Sequence, residues 1–272
     1  MSLPHASVPE SAAAHSQPFR LDHRHALVTG GASGIGEATV KELARAGAHV
    51  WIADINHAAA EALAASLPSA QALALDVTSP ASIAAAVSRL TRLDILVNNA
   101  GIGHVGSIEA TEPGDFDRLI NVNVRAVYLV TRAFLPLLLA SQQNPDNNGH
   151  TGSIINIASV AGLVGIKQRF AYCTSKGAIV SMTRQLAVDY PKTLRVNAIC
   201  PGTVETPFVE GYLDKFHAHN KEETRAELRA RQPIGRLGQP HEIASMVRYL
   251  ASAEAAFISG SLFTIDGGWT AA

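Results

Sequence analysis

Short apolar runs alternate along the chain with longer, Ala-rich segments in which apolar residues recur at helical spacing. A run of about four to eight apolar residues between turn residues reads as a buried strand, and recurrence at i, i+3, i+4 and i+7 reads as a helix with one packed face. Strands are therefore expected over residues 25–29, 48–53, 70–75, 95–98, 153–158, 195–199 and 262–265. Helices are expected over 35–46, 57–66, 80–90, 116–140, 172–189 and 241–250. Strands as apolar as the one containing Ile154 and Ile155 suit burial on both faces. Their alternation with helices implies right-handed crossovers and a parallel sheet covered on both sides, an α/β doubly wound architecture.

Three stretches depart from this alternation. Residues 1–20 are rich in Ala, Ser, Pro and His and read as a disordered extension, leaving 21–272 as a single domain. They lack the basic start and apolar run of a secretory signal, and no stretch is expected to reach the roughly 20 apolar residues of a membrane span. Residues 141–152 are polar and read as a surface loop. Residues 204–232 have helical composition but no strand, an excursion that suits a lid over a site.

Composition narrows the function class. Lys+Arg number 22 and Asp+Glu 23, a net charge of -1, so neither a nucleic-acid nor a membrane partner is expected. The two cysteines, Cys173 and Cys200, form no disulfide framework, and no clustered His, Cys and carboxylate set suggests a metal; a reducing cytoplasm fits.

Candidate chemistry begins at the first strand, which runs into Gly30-Gly31-Ala32-Ser33-Gly34-Ile35-Gly36. A glycine-rich turn between a strand and a helix lets backbone approach a pyrophosphate, and the helix N-terminus offers free N–H groups and partial positive charge. The second strand ends at Asp54, where a carboxylate accepts from the ribose hydroxyls of NAD and repels the 2′-phosphate of NADP. No Lys or Arg lies between Gly30 and Gly36 to offset that repulsion, so NAD is expected. Asp76 and Val77, after the third strand, are placed either at the adenine or at the cap of the next helix.

Further motifs complete a pattern: Thr29-Gly30-x-x-x-Gly34-Ile35-Gly36, Asn98-Asn99-Ala100-Gly101, Ser159, Tyr172-x-x-x-Lys176 and Pro201-Gly202, in this order from Leu21 onward. In order and spacing the chain resembles the short-chain dehydrogenase/reductase family. The resemblance implies a Rossmann fold with seven strands in the order 3-2-1-4-5-6-7 and an NAD-dependent enzyme interconverting an alcohol and a ketone by hydride transfer. It implies Ser159, Tyr172, Lys176 and Asn123 as catalytic residues, with Asn123 holding a water beside the lysine. It places Asn99, Ala100, Gly101, Pro201, Gly202, Val204 and Thr206 on the cofactor together with Tyr172 and Lys176, has Asn98 brace the central strands, and implies a homotetramer.

The chemistry agrees with these roles. Tyr172 and Lys176 are four apart and share one helix face. A phenol titrates at about 10; a neighbouring ammonium and the positive nicotinamide are expected to stabilise the phenolate, lower that value and make Tyr172 a base. Ser159 can hold the substrate oxygen near the phenol.

The substrate is less legible. Arg169, three residues before Tyr172, can pair with a substrate carboxylate or serve a structural role. Pro201-Gly202-Thr203-Val204, Arg231-Gln232-Pro233-x-Gly235-Arg236 and Ile265-Asp266-Gly267-Gly268-Trp269 resemble the family's 2-keto-3-deoxy-L-fuconate, L-fucose and cytosolic 3-hydroxybutyrate dehydrogenase branch. A hydroxy acid or sugar acid is thus expected, with a neutral sugar such as L-fucose, a polyol or another alcohol as the alternative. A non-catalytic dinucleotide-binding protein is disfavoured, since binding alone has no need of a phenol beside an ammonium.

Overall fold

The computed structural model describes residues 18–144 and 150–272. Seven parallel strands form one sheet in the order β3-β2-β1-β4-β5-β6-β7, as the resemblance implies. They are β1 (His25–Thr29), β2 (His49–Asp54), β3 (Ala70–Ala74), β4 (Ile95–Asn98), β5 (Gly152–Ile157), β6 (Leu194–Pro201) and β7 (Leu262–Ile265). The helices are α1 (Gly34–Arg45), α2 (His57–Ala65), α3 (Pro80–Val87), α4 (Pro113–Ile120), α5 (Ala126–Ala140), α6 (Phe170–Asp189), α7 (Pro207–Phe216), α8 (Lys221–Ala230) and α9 (Pro240–Ala251).

Alternate strand residues feed opposite cores. Ala26 and Val28 of β1 join Val40 and Leu43 of α1 and Ile243, Val247 and Leu250 of α9 on one face. Leu27 points the other way, into a cluster with Leu96, Ile154, and Phe134 and Leu138 of α5. Each fully buried Leu, Ile or Phe contributes about 1.5–3 kcal/mol, so burial on both faces explains why the strands read as continuous apolar runs. Asn98 donates to Asn156 Oδ1 at 2.8 Å and to Thr131 Oγ1 at 3.1 Å, bracing β4 against β5 and α5.

The long helix expected over 116–140 begins earlier, at Pro113, and is interrupted by a π-helical turn, Asn121–Arg125. With this turn, the segment Pro113–Gln143 runs to 31 residues and is long and apolar enough to cross a bilayer, against the sequence expectation. Here Val130, Phe134 and Leu138 of the segment pack on the sheet.

Of the stretch 1–20 read as a disordered extension, residues 1–17 lie outside the described residues, as do 145–149 of the polar loop. Phe19 is fixed: its ring meets Tyr249 of α9 edge-on at 5.6 Å, and Arg248 Nε donates to its carbonyl. The late stretch 204–232 contains α7 and α8, packed together through Val209, Leu213 and Leu228.

Candidate active site

A cleft of about 570 Å³ opens where the turns after β1, β4, β5 and β6 meet, with α7 along one wall. The order β2-β1-β4 makes this a topological switch point, where successive crossovers leave opposite faces and their turns diverge.

The β1–α1 turn is shaped by its glycines. Gly30 and Gly34 have φ of 61° and 55°, the left-handed region that disfavours a side chain. Ser33 caps α1 without a side-chain hydrogen bond, so the first N–H groups of the helix remain available to an anion. Asn99 Nδ2 donates to the carbonyls of Thr29 and Gly30, while Thr29 Oγ1 accepts from the N–H groups of Asn99 and Ala100. These bonds tie the loop after β4 to the glycine turn. Gly30, Ser33, Gly34, Ile35, Asn99, Ala100 and Gly101 all line the cleft.

Gly36, Asp54, Asp76 and Val77 are not among the residues that line the cleft. Asp54 Oδ2 accepts from Ala32 N at 3.0 Å and Oδ1 from Asn56 N at 2.9 Å, so the carboxylate adjoins the glycine turn and keeps lone pairs free. Asp76 turns inward: its Oδ1 accepts from the N–H and hydroxyl of Thr78, which holds the carboxyl below its usual range. Of the two expectations for Asp76, the cap of the next helix is not met: Ser79 caps α3, its Oγ accepting from Ser82 N, and Asp76 instead orders the turn before it. The glycine turn, the uncapped helix terminus and the Asp54 carboxylate together fit a dinucleotide.

Tyr172 and Lys176 occupy one face of α6, and Ser159 follows β5 on the same wall. Burial raises the Tyr172 phenol above its ordinary value; the Ser159 hydrogen bond and the Arg169 charge act in the opposite sense. At this phenol desolvation of the charge outweighs the nearby dipoles; the expected lowering draws on Lys176 and a positive nicotinamide together. Burial also lowers Lys176 to about 8. Its Nζ donates to the Ile157 carbonyl at 2.9 Å and lies 5.9 Å from the centre of the Tyr172 ring.

Asn123 lies in the π turn, where the widened helix turns its side chain toward the loop after β4. Its Oδ1 accepts from Ile102 N at 2.8 Å, and its Nδ2 donates to the Ile102 carbonyl and Ser175 Oγ. The space beside Gly101, where a Cβ would stand, is 3.3 Å from Asn123 Oδ1 and 3.7 Å from Lys176 Nζ. Pro201, Gly202, Val204 and Thr206 line the cleft after β6, and Thr206 Oγ1 caps α7.

Arg169 reaches the same cleft. Its Nη1 donates to the His104 carbonyl at 3.1 Å, and the guanidinium lies 4.5 Å from the centre of the Tyr212 ring. Phe208 and Tyr212, which the sequence reading did not single out, and Trp269, which entered it only within the branch motif Ile265–Trp269, line the cleft. The spacing 208, 211, 212, 215, 216 is a helical stripe and carries a usable signal; the motif containing Trp269 did not place it in the cleft, since nothing local brings the chain end there.

The family model described as enoyl-(acyl carrier protein) reductase matches residues 30–270. The chain is 41% identical to 2-(S)-hydroxypropyl-CoM dehydrogenase 3 of Xanthobacter autotrophicus, covering 93% of this chain and 98% of that protein. It is 40% identical to 2-keto-3-deoxy-L-fuconate dehydrogenase of Xanthomonas campestris, covering 92% and 81%. The solved 3-ketoacyl-(acyl-carrier-protein) reductase of Brucella melitensis, complexed with NADH, superposes with a TM-score of 0.81 at 36% identity, covering 92% and 99%. With this model match and these relatives, the chain belongs to the short-chain dehydrogenase/reductase family, an oxidoreductase family acting on alcohol and ketone groups.

Proposed function

We propose that this protein is an NAD-dependent dehydrogenase that interconverts a secondary alcohol and a ketone on a hydroxy acid or sugar acid. The observation that carries the reading is the meeting of Ser159, Tyr172 and Lys176 on one wall of a cleft whose adjoining wall is the glycine turn. Asp54 beside that turn, with no Lys or Arg from Gly30 to Gly36, favours NAD over NADP. NADH in the Brucella relative agrees with that choice.

Bound NAD supplies the hydride acceptor. Ser159 holds the substrate oxygen by a hydrogen bond, and Tyr172, as phenolate, takes the alcohol proton. Lys176 stabilises the phenolate by its charge. Asn123 Oδ1 and Lys176 Nζ both face Gly101, and we assign them to holding the water through which the proton leaves. In reduction each transfer runs in reverse.

Arg169 is our candidate partner for the substrate acid group, since Nη1 alone is bound to the His104 carbonyl. The stacking of Arg169 on Tyr212 favours a second reading, in which the residue is structural and the substrate is a neutral sugar or polyol. The test is NADH formation from NAD with hydroxy and sugar acids against matching neutral sugars and alcohols. Turnover of acids alone, abolished by Arg169→Ala, supports the first reading; turnover of neutral compounds alone supports the second. Absence of turnover on both panels, with NAD bound, refutes the dehydrogenase proposal. The same proposal takes the protein to be a cytoplasmic homotetramer, which sedimentation of the purified chain and fractionation of its source cells would test.

A further inference from the structure

Two rings of α7 cover two neighbouring groups at the start of α6. Phe208 lies 6.5 Å from Tyr172, ring centre to ring centre. Tyr212, one helical turn further along α7, has its ring centre 4.5 Å from the Arg169 guanidinium. Arg169 is the N-cap of α6 and Tyr172 falls in its first turn, so one stripe of α7 rests on both the cation and the phenol. Phe208 fits there because residue 103 is glycine: a Cβ at Gly103 would stand 2.7 Å from the Phe208 ring.

The two sides of Arg169 are held differently. Gly106 N donates to the Gln168 carbonyl at 3.0 Å and Phe170 N to the Gly106 carbonyl at 3.1 Å, which clamps the backbone around Arg169 to the loop after β4. Nη1 donates to the His104 carbonyl of the same loop, and no carboxylate pairs with the guanidinium among the described residues. On the other side stands Tyr212, whose hydroxyl shares a 2.7 Å hydrogen bond with Nε2 of His217, the C-cap of α7. That bond fixes the ring that meets the guanidinium. α7 and α8 also share an apolar cluster of their own, Val209, Leu213, Leu228 and Leu237, so the pair can shift as a unit and carry the Tyr212 stack with it.

We propose that Tyr212 is a positioning residue for the general base: stacked on Arg169, it holds the guanidinium charge near the Tyr172 phenol, so that closure of α7 favours the phenolate. This rests on the reading of Tyr172 as the base of a dehydrogenase. Burial raises the phenol, and the Ser159 hydrogen bond and the Arg169 charge act against it. A cation without a carboxylate partner keeps its field, which a partly desolvated cleft screens weakly. The other charged or titratable groups on the surrounding elements are Lys176 and Cys173 of α6 and His104 after β4, whose Nε2 is 3.7 Å from Asp115. On α7 itself, Lys215 Nζ rests 5.2 Å from the centre of the Phe216 ring. Substitution of Tyr212 leaves all of these groups in place.

The test is the titration of Tyr172 in the NAD-saturated protein, read as the ultraviolet tyrosinate difference between each protein and its Tyr172→Phe counterpart. Arg169→Gln should move the signal to higher pH, and Tyr212→Leu should move it the same way by less. Tyr212→Phe keeps the ring and Arg169→Lys keeps the charge, so both should stay nearer the native protein. The alkaline-rising limb of kcat, measured at saturating alcohol, should follow the signal. At a fixed pH on that limb, kcat should fall about tenfold in Arg169→Gln and roughly threefold in Tyr212→Leu. Residues that only shape the cleft or bind substrate would raise KM and leave the signal and the limb unmoved, which overturns the proposal. A signal moved by Arg169→Gln but not by Tyr212→Leu, or moved equally by Tyr212→Phe and Tyr212→Leu, overturns it as well. Movement without turnover of any alcohol would keep the coupling and remove the dehydrogenase reading; turnover with an unmoved signal would do the reverse.

Discussion

A Cβ placed on Gly36 would stand 2.0 Å from the carbonyl oxygen of Gly30. The same Cβ would come within 2.7 Å of Asn99 Nδ2, the group that ties the loop after β4 to the glycine turn. The first turn of α1 is thus packed against backbone, which has no flexible end to move aside.

Gly36→Ala is therefore expected to destabilise the protein even though alanine is the better helix former by about 1 kcal/mol. The clash should outweigh that gain, for a net loss of ~2–4 kcal/mol, or several degrees in Tm. NAD binding should fall in parallel because the turn cannot close. A thermal melt and an NAD titration check both; an unchanged Tm with normal NAD affinity would mean that the turn is looser than its contacts imply.

At the other end of the turn, Asp54 holds Ala32 N and Asn56 N while retaining lone pairs for a ribose. Hydrogen bonds to a charged group contribute about 1.5–3 kcal/mol. Asp54→Ala should accordingly lower kcat/KM with NAD by tenfold or more and lower it much less with NADP. Asp54→Asn, which keeps an acceptor but loses the charge, should fall between them. The informative quantity is the ratio of the two cofactor efficiencies; a constant ratio across the three proteins would remove Asp54 from cofactor choice.

Much of this arrangement was legible beforehand because it is local. The strand, glycine turn and helix at Gly30–Gly36 depend on neighbours in sequence, and Tyr172 and Lys176 meet because a helix brings i and i+4 together. What escaped is set by distant packing. The π turn at Asn121–Arg125 has no periodicity of its own, yet it directs Asn123 to the Ile102 backbone. The raised Tyr172 phenol reflects burial, with the Phe208 ring of α7 6.5 Å away, which the Tyr-x-x-x-Lys spacing does not encode. Trp269 reaches the cleft only because β7 carries the chain end back beside β6.

Ser159 offers a test of how that phenol is tuned. Its hydrogen bond lowers Tyr172 against the larger effect of burial. Ser159→Ala removes both this lowering and the group that holds the substrate oxygen. We expect kcat to fall by about 100-fold, a typical loss for one transition-state donor. The alkaline-rising limb of the oxidation profile should also move to higher pH, since the base is harder to ionise. A reduced kcat with an unmoved limb would confine Ser159 to substrate positioning.

Lys176 makes the final case, because its charge is costly in the free protein. An unfolded lysine titrates near its model value of 10.5, whereas burial brings the folded side chain to about 8. Below pH 8 both states are protonated, and at 1.36 kcal/mol per unit the buried charge costs the fold ~3 kcal/mol. From pH 8 to 10.5 the folded chain releases its proton first, so the unfolded state binds more protons and stability rises with pH. Lys176→Met removes the charge but strands the Ile157 carbonyl, a loss of ~1 kcal/mol. The variant should thus be inactive yet ~1–2 kcal/mol more stable at pH 7, with the advantage shrinking as pH climbs above 8. Denaturant melts at neutral and alkaline pH read this directly. A variant less stable than native at pH 7 would show that the lysine is stabilised by its surroundings even without cofactor.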